Sequence, residues 1–212
     1  MEEDAQINKD IKNAESNKIK DILKKVFFIA WDFFKIIVIA AAIVLPIRYF
    51  LFQPFIVKGD SMVPNFHSGD YLIIDEISYR FGNPKRGDVV VLKYPLDTNQ
   101  RFIKRVIGLP GETVEIKSSS IKITGANGGS FILNEKKYLP NSLKTEGDTI
   151  ITLQDGQYFV LGDNRQFSYD SRRWMNSLGQ PEPILPRKDI IGKAFFRVFP
   201  ISAMSYIAEP SY

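Results

Sequence analysis

Apolar residues follow two different patterns along the chain. From Val26 to Val57 they run almost without interruption, whereas after Tyr71 they form short β-branched or aromatic runs between turn residues. Residues 1–25 are polar and contain six lysines and six acidic residues. The pattern therefore divides the chain into a polar tail, an apolar segment and a longer remainder rich in β-strands.

The apolar segment is long enough to cross a membrane only if it includes two charged residues. Its longest uncharged run has 12 residues, which as a helix would span about 18 Å of the roughly 30 Å of hydrocarbon. Extension back to Val26 gives 22 residues and includes Asp32 and Lys35, which lie three apart on one helical face and can pair. We therefore predict one uncleaved transmembrane helix over residues 26–47.

Two other interpretations of this segment are a cleaved signal peptide and the buried helix of a soluble core. The small residues Ala40–Ala42 could precede a cleavage site, but the apolar run continues beyond them and the tail in front is long. Lysines before the segment outweigh the basic residues after it, which predicts that the tail 1–25 is cytoplasmic and that residues 48–212 are extracytoplasmic.

The remainder of the chain is typical of a β domain. Its strand-like runs are residues 70–77, 87–94, 101–109, 112–123, 130–134, 148–153 and 157–163. Stretches rich in Gly, Pro and Asn separate these runs, and no regular helical period intervenes. We therefore predict a mainly antiparallel β domain and not a parallel βαβ architecture.

Composition narrows the possible chemistry. The chain has no cysteine, which excludes thiol catalysis, disulfides and cysteine-based zinc sites. Its one histidine, His67, lies six residues after Ser61; we expect it to be a surface turn residue, and we expect neither a metal site nor a cofactor. The net charge of +4 includes no dense basic block, so nucleic-acid binding gains no support.

The stretch VKGDSMVP, residues 57–64, is the first candidate for catalytic chemistry. Gly59 permits a sharp backbone turn, and Pro64 restrains the chain just beyond Ser61. A hydroxyl that projects from such a fixed segment suits a nucleophile. The simpler interpretation is a turn that follows a membrane segment.

A serine nucleophile without a histidine needs another base, and a buried lysine can supply one. Burial disfavours the ammonium form, and lowering the lysine pKa from about 10.4 to about 8 takes roughly 3 kcal/mol. Lys104 is the best candidate because strand alternation places it on one face with Phe102 and Val106, whereas Arg105 points to the other. The simpler alternative is an exposed lysine on an edge strand.

A third polar cluster follows the strand predicted at 157–163. It offers hydroxyl, amide and carboxylate groups that could orient a base, on Asp163, Asn164, Ser168, Asp170 and Arg172. An ordinary Asx-rich turn with a surface ion pair has the same composition.

The order of these clusters resembles that of the type I signal peptidases, the Ser/Lys leader peptidases. The similar stretches are GDSMVP, KRGDVVVL, FIKRVIGLPGE, YFVLGDNRQFSYDSR and IIGKAFFRVFP, and with the apolar segment and LFQPFIV they cover about residues 27–200. The resemblance implies a mainly β fold, an antiparallel β-sheet catalytic domain of the signal peptidase/LexA type behind one N-terminal transmembrane helix. It also implies a small second β subdomain at about 115–155.

The resemblance assigns a role to each cluster. Ser61 is the implied nucleophile, Lys104 the general base and Ser168 the hydroxyl that orients the lysine amine. Residues that resemble the polar framework are Asp163, Asn164, Asp170 and Arg172. Residues that resemble the wall of the substrate pocket are Phe55, Val57, Met62, Phe66, Phe102 and Ile103. The substrate would add as a strand between the segments before Ser61 and Lys104, with the small residues of an A-x-A site in a shallow apolar pocket.

The sequence departs from the family pattern at four places. Gly59 stands where many members have a serine whose hydroxyl donates to the oxyanion, which leaves the Ser61 N–H as the expected donor. Asn65-Phe66 replaces Thr-Leu, Glu112 replaces Asp, and Gln166-Phe167 replaces a more polar pair. The first and last of these replacements could change the shape of the pocket.

The implied function is a membrane-anchored serine endopeptidase that removes signal peptides from exported preproteins at the cell (plasma or inner) membrane. Its implied partners are preproteins, the lipid bilayer and, by proximity, the secretion translocon, but no nucleic acid. Two alternatives are a LexA-type protease that cleaves itself and an inactive membrane-anchored β module that only binds peptides. Residues 1–25 are too short for the DNA-binding domain of a LexA-type repressor.

Overall fold

The computed structural model describes residue 20 and residues 23–45, 52–208 and 210. The chain divides into an N-terminal unit that holds one long helix and a C-terminal unit that holds all described strands, here called the β unit. Most of the predicted polar tail 1–25 and the last two residues of the predicted transmembrane helix lie outside the described residues.

Helix α1 (Leu23–Leu45) has the length and composition of a membrane span. Its 23 residues extend about 35 Å at 1.5 Å per residue. Its large apolar side chains are exposed, which argues against the interpretation as a buried core helix. Lys35 and Asp32 pair at 2.7 Å, so the two charges inside the apolar segment compensate each other.

The larger sheet of the β unit is antiparallel throughout the described strands. Its strands are β1 (Phe52–Ile56), β2 (Tyr71–Asp75), β3 (Val89–Tyr94), β4 (Asp97–Gly108), β9 (Gln157–Leu161), β10 (Leu185–Pro186), β11 (Ile190–Phe199) and β12 (Ser205–Tyr206). Their order is β1-β2-β11-β3-β4-β9-β10, and β12 pairs with β11. A one-turn helix α2 (Ser78–Phe81) and 3-10 turns at Arg187–Asp189 and Ile201–Ala203 are the described helical elements of this unit.

A second, four-stranded sheet lies between β4 and β9 in the sequence. Its strands are β5 (Thr113–Lys117), β6 (Ser120–Thr124), β7 (Ser130–Ile132) and β8 (Thr149–Thr152), in the order β7-β6-β5-β8. Ser118 and Ser119 have φ of 50° and 65° and turn β5 tightly into β6. The run predicted at 112–123 is therefore two strands. The sequence did not predict the turn between them, because a two-residue hairpin needs residues with positive φ and Ser-Ser is not a typical pair for that conformation.

The mainly antiparallel β fold predicted from the sequence is confirmed. The pattern misses β1, which ends the apolar segment and contains Pro54. Proline is tolerated there because β1 is the edge strand of its sheet. The pattern also misses the short strands β10 and β12, and β11 enters only through the family-like stretch at 190–200.

The core places Lys104 on a buried central strand. Consecutive β3 residues pack into two different apolar clusters, Val90 and Leu92 in one and Val89 and Val91 in the other, so the large sheet is covered on both faces. Strand β4 lies between β3 and β9 and changes from exposed to buried after residue 102. The alternative of an exposed edge-strand lysine is therefore wrong.

Candidate active site

Ser61 lies in a turn that follows β1 and is anchored by its neighbours. The side chain of the next residue, Met62, is fully buried among apolar residues of β2 and β3. The Met62 backbone carbonyl accepts the Phe66 N–H at 2.9 Å. Gly59 has φ of +80°, a conformation that glycine adopts without strain. The backbone therefore holds Ser61 half-buried, with its hydroxyl directed toward β4.

The side chain of Lys104, on β4, contacts the Ser61 side chain. Its Nζ donates to the Ser61 Oγ at 2.8 Å and to the Ile103 carbonyl at 2.8 Å, and its side chain is buried. Burial lowers the pKa of Lys104 from 10.5 to about 8, an effect partly offset by the charges of Asp170 and Asp163. A lysine with this pKa has a substantial neutral fraction near physiological pH and can accept a proton from a serine.

The polar loop after β9 holds the nucleophile turn from the other side. The Asn164 N–H donates to the Ser61 carbonyl at 3.0 Å, and its side-chain amide donates to the Asp60 carbonyl at 3.0 Å. A Cβ at Gly162 would clash with the Ser61 carbonyl oxygen and with the Ser168 side chain. The loop can approach Ser61 this closely only because residue 162 is glycine.

Asp163 forms a buried ion pair behind the site. It accepts from Arg105 Nε at 2.8 Å and Nη2 at 2.6 Å, and from the Asn65 side-chain amide at 2.7 Å. Its backbone N–H contacts the Met62 sulfur at 3.4 Å. The pair thus ties β4 and the polar loop to the turn that carries Ser61.

Asp170 and Arg172 close the polar loop. The Asp170 carboxylate accepts the Gly162 N–H at 3.0 Å and binds the Arg172 guanidinium through bonds of 2.9 Å and 2.8 Å. Arg172 also donates to the Arg165 carbonyl at 2.8 Å. These contacts restrain both ends of the segment that packs on Ser61.

Ser168 does not make the hydrogen bond to the lysine amine that the resemblance implies. Its side chain is fully buried, and its Oγ has no hydrogen-bond partner among the described residues. The Lys104 amine donates instead to Ser61 and to its own strand. A buried hydroxyl without a partner is unusual, and here it lies on Gly162 beside the Ser61 turn.

A cleft of about 230 Å³ opens onto the Ser61 and Lys104 side chains. Its lining comprises Phe55, Lys58, Gly59, Asp60, Ser61, Arg101, Phe102, Ile103, Lys104, Phe167 and Tyr169. Three of the six residues expected in the pocket wall, Phe55, Phe102 and Ile103, are among them. The cleft therefore presents apolar side chains beside the nucleophile, together with the charged side chains of Lys58, Asp60 and Arg101.

The other three expected wall residues are placed differently. Val57, Met62 and Phe66 are buried in the apolar cluster under the Ser61 turn and do not line this cleft. Sequence similarity identifies the matching positions but does not show whether their side chains are exposed, and here the three side chains point into the core. They support the cleft from beneath and do not present a surface to a ligand.

Several residues of the site were not expected from the sequence. Arg105 was predicted only to point away from Lys104, and it forms the ion pair with Asp163. Asn65, noted as a departure, is a partner of the same carboxylate. Phe167 and Tyr169 line the cleft, and the signal for Phe167 was its replacement of a more polar residue.

Comparison with known proteins agrees with this site. A family model described as "Signal peptidase, peptidase S26" matches residues 30–199. The chain belongs to the signal peptidase family. The resemblance seen in the sequence is thereby confirmed, and the match spans most of the long helix, the Ser61 turn, β4 and the polar loop.

Individual members of the signal peptidase family are similar over most of the chain. "Signal peptidase I" of Bacillus amyloliquefaciens is 38% identical over 178 residues, 82% of this chain and 88% of that protein. "Probable signal peptidase I-1" of Synechocystis sp. is 36% identical over 185 residues, 81% of this chain and 86% of that protein. A crystal structure of a signal peptidase I from Enterococcus faecalis V583 is 30% identical, with a TM-score of 0.39, and covers 53% of this chain and 97% of that chain.

The described part of this signal peptidase offers no metal centre. No group of three or more His, Asp or Glu side chains in residues 23–45 and 52–208 could hold a metal ion. The single histidine, His67, is exposed, and its backbone N–H donates to Asp70 at 3.1 Å.

Proposed function

We propose that this signal peptidase is a serine endopeptidase that cleaves N-terminal signal peptides from exported preproteins, with Ser61 as nucleophile and Lys104 as general base. The observation that carries the proposal is the 2.8 Å contact between Lys104 Nζ and Ser61 Oγ, in surroundings that lower the pKa of the lysine to about 8. A relative of 38% identity over 82% of the chain is named "Signal peptidase I".

The proposed reaction uses the same two groups in both steps. The neutral Lys104 amine takes the proton of the Ser61 hydroxyl as its oxygen attacks the scissile carbonyl, and the resulting ammonium then protonates the leaving amine. Water next attacks the acyl-enzyme, with Lys104 again as the base. The products are the released signal peptide and the mature protein.

The oxyanion of this reaction would be stabilised by the backbone of the Ser61 turn. The Ser61 N–H has no acceptor among the described residues and is free to donate. One such donor is typically worth roughly 3–4 kcal/mol in the transition state. Gly59 adds no hydroxyl, and at its positive φ a serine would be strained even though space for a Cβ is open.

Ser168 and the framework residues are proposed to position the dyad. The buried Ser168 hydroxyl has an unused acceptor, and the protonated Lys104 amine has a third hydrogen beyond its two observed contacts. We infer that these two groups pair when Lys104 carries the proton. Asp163, Asn164, Asp170 and Arg172 act through the loop that packs on Ser61.

The substrate would bind as an extended strand along the segments that end at Ser61 and Lys104. Side chains alternate along a strand, so the residues one and three before the scissile bond would point to the same wall. Phe55, Phe102 and Ile103 provide an apolar wall in a small cleft, which suits the alanines of an A-x-A site. Val57, Met62 and Phe66 would support this wall from within the apolar cluster, without contacting the substrate.

Helix α1 and the family support a membrane-anchored enzyme. We propose that α1 crosses the bilayer once, with residues 1–25 in the cytoplasm and the β unit on the outer side, close to the secretion translocon. The surplus of lysines before the span is the basis for this orientation.

A preprotein with an A-x-A site tests the function directly. The full chain in detergent micelles should cut it at one bond, immediately after the second alanine, as read by N-terminal sequencing of the product. Replacing that alanine by tryptophan should reduce kcat/KM by at least about 100-fold, because the small cleft cannot hold the larger side chain.

The same assay distinguishes the alternatives. Cleavage of the chain by itself with the preprotein left intact would indicate a LexA-type protease. Binding of the preprotein without any cleavage, and without labelling of Ser61 by a serine-acylating penem, would indicate a binding module. Either result would contradict the proposal.

The pH dependence of cleavage should report the state of Lys104. The neutral amine is the active form, so kcat/KM should increase about tenfold per pH unit below the pKa and level off above about 8. The measurement is initial rates from pH 6 to 10, with far-UV circular dichroism as a control for folding. A rate that is flat below pH 8, or that rises only near pH 10.5, would show that Lys104 is not the base.

A further inference from the structure

Two aromatic side chains of the cleft have no role in the proposed reaction. Phe167 and Tyr169 line the cleft together with Ser61 and Lys104. Phe167 is 77% exposed and Tyr169 is 45% exposed, so both rings present apolar surface to solvent. Exposed aromatic rings beside a concave site are typical of surfaces that contact a ligand.

The loop that carries both rings is held against the nucleophile turn. Phe167 and Tyr169 flank Ser168, which is buried against Gly162 and the Ser61 turn. The Tyr169 hydroxyl lies 3.1 Å from that of Tyr94, whose ring packs on the rings of Phe102 and Trp174 at 5.2 Å and 5.7 Å between centroids. Tyr169 is therefore anchored to the core, and Phe167 projects from the same restrained loop.

The lining of the cleft comes from three chain segments. Two of them, residues 55–61 and 101–104, each end at a member of the Ser61–Lys104 pair. In the proposed strand addition they hold the residues that precede the scissile bond. The third segment, residues 167–169, lies on neither side of the added strand. It is therefore available to contact the substrate residues that follow the scissile bond.

We propose that Phe167 and Tyr169 form a subsite for the first residue of the mature protein and select an apolar side chain there. The proposal rests on the proposed function and adds a specificity that Ser61 and Lys104 do not determine. An apolar side chain would cover the exposed rings, whereas a polar one of the same size would lose water contacts without gaining a hydrogen bond from Phe167.

A pair of nearly isosteric substrates tests this subsite. Two preproteins would differ only in the residue after the cleavage site, leucine in one and asparagine in the other. The full chain in detergent micelles should cleave the leucine form with a kcat/KM about five- to tenfold higher, the size expected for one apolar contact with an aromatic ring. Phe167→Asn should bring this ratio to within about twofold of one, whereas Phe167→Leu should keep most of it.

Phe81 provides a matched control. It lies on α2, is 89% exposed and does not line the cleft, so Phe81→Asn makes the same chemical change elsewhere and should leave the ratio unchanged. Phe167 is also mostly exposed, so its replacement by asparagine should not unfold the β unit.

Several results would overturn the subsite. One is efficient cleavage of both substrates at equal rates by the unmodified chain, which would leave the proposed function intact. Another is a Phe167→Asn variant that keeps the ratio or changes selectivity only at the alanines before the bond. If Phe167→Asn lost activity equally on both substrates in liposomes, and lost none in micelles, Phe167 would be assigned to lipid contact. Absence of any cleavage would remove the proposed function itself, and the subsite with it.

Discussion

Lys104→Met should abolish signal-peptide cleavage and leave the β unit folded. Methionine has nearly the length of lysine but no amine, so the Ser61 hydroxyl loses its base. We expect kcat/KM to fall by about 10³-fold or more, the scale seen when one member of a nucleophile–base pair is removed. Ser61→Ala should cause a loss of similar size, and the double variant should be no worse than either single variant because the two groups act as a unit.

The stability of Lys104→Met should separate lost chemistry from lost structure. The pKa of Lys104 is about 8 when folded and near 10.5 otherwise, so between these values the unfolded chain binds more protons and stability increases with pH. Below pH 8 the penalty for burying the ammonium is fully present, roughly 3 kcal/mol at about 1.4 kcal/mol per pH unit. The variant should therefore be at least as stable as the unmodified chain at pH 7, with an advantage that shrinks toward pH 10.5.

Both measurements can be made on the full chain in detergent micelles. Preprotein processing gives the rates, and urea unfolding followed by tryptophan fluorescence gives the stability. Lys104→Arg keeps a cation that does not titrate in this range and should also be inactive. A Lys104→Met variant that still cleaves within tenfold of the normal rate would show that another group serves as the base.

The sequence predicts elements of this fold well where local chemistry is sufficient. Strands β2, β3, β4 and β9 are predicted because each is a short run rich in β-branched or aromatic residues that is bounded by turn residues. The turn at Ser118 and Ser119 and the edge strand around Pro54 are missed because their conformations depend on neighbours that the local pattern does not contain. Strand pairings such as β11 with β2 and β3 are long-range and have no local signal.

Only part of the site could be predicted from the sequence. Ser61 and Lys104 are 43 positions apart, and no spacing rule brings them together; their pairing was implied only by the order of family-like stretches. Alternation predicted that Arg105 faces away from Lys104, but it could not identify Asp163 as the partner. Gly162 carries the clearest structural reason for its identity, and that reason exists only once the polar loop is packed on Ser61.

Arg105→Met should be among the most destabilising single substitutions in the β unit. Arg105 and Asp163 are both almost completely inaccessible to solvent and form a bidentate pair. Removing the guanidinium leaves a buried carboxylate whose remaining hydrogen-bond donor among the described residues is the Asn65 amide, and breaking one side of such a pair typically costs about 3–5 kcal/mol. Because the same pair joins β4 to the loop behind Ser61, cleavage activity should fall as well.

Lys93→Met is the matched control, because Lys93 is an exposed basic residue on the adjacent strand β3. It should change the unfolding free energy by less than about 0.5 kcal/mol. Trp31→Phe in every variant would leave the fully buried Trp174 as the single tryptophan that reports urea unfolding of the full chain in micelles.

Adding Asp163→Asn to Arg105→Met should recover at least about 1 kcal/mol, because the second change removes the uncompensated buried charge at almost constant volume. If Arg105→Met costs no more than Lys93→Met, or if the double variant is less stable than Arg105→Met alone, then the ion pair does not hold the polar loop against the nucleophile turn. In that case the contacts of Asn164 with Ser61 and Asp60 would have to position the dyad on their own.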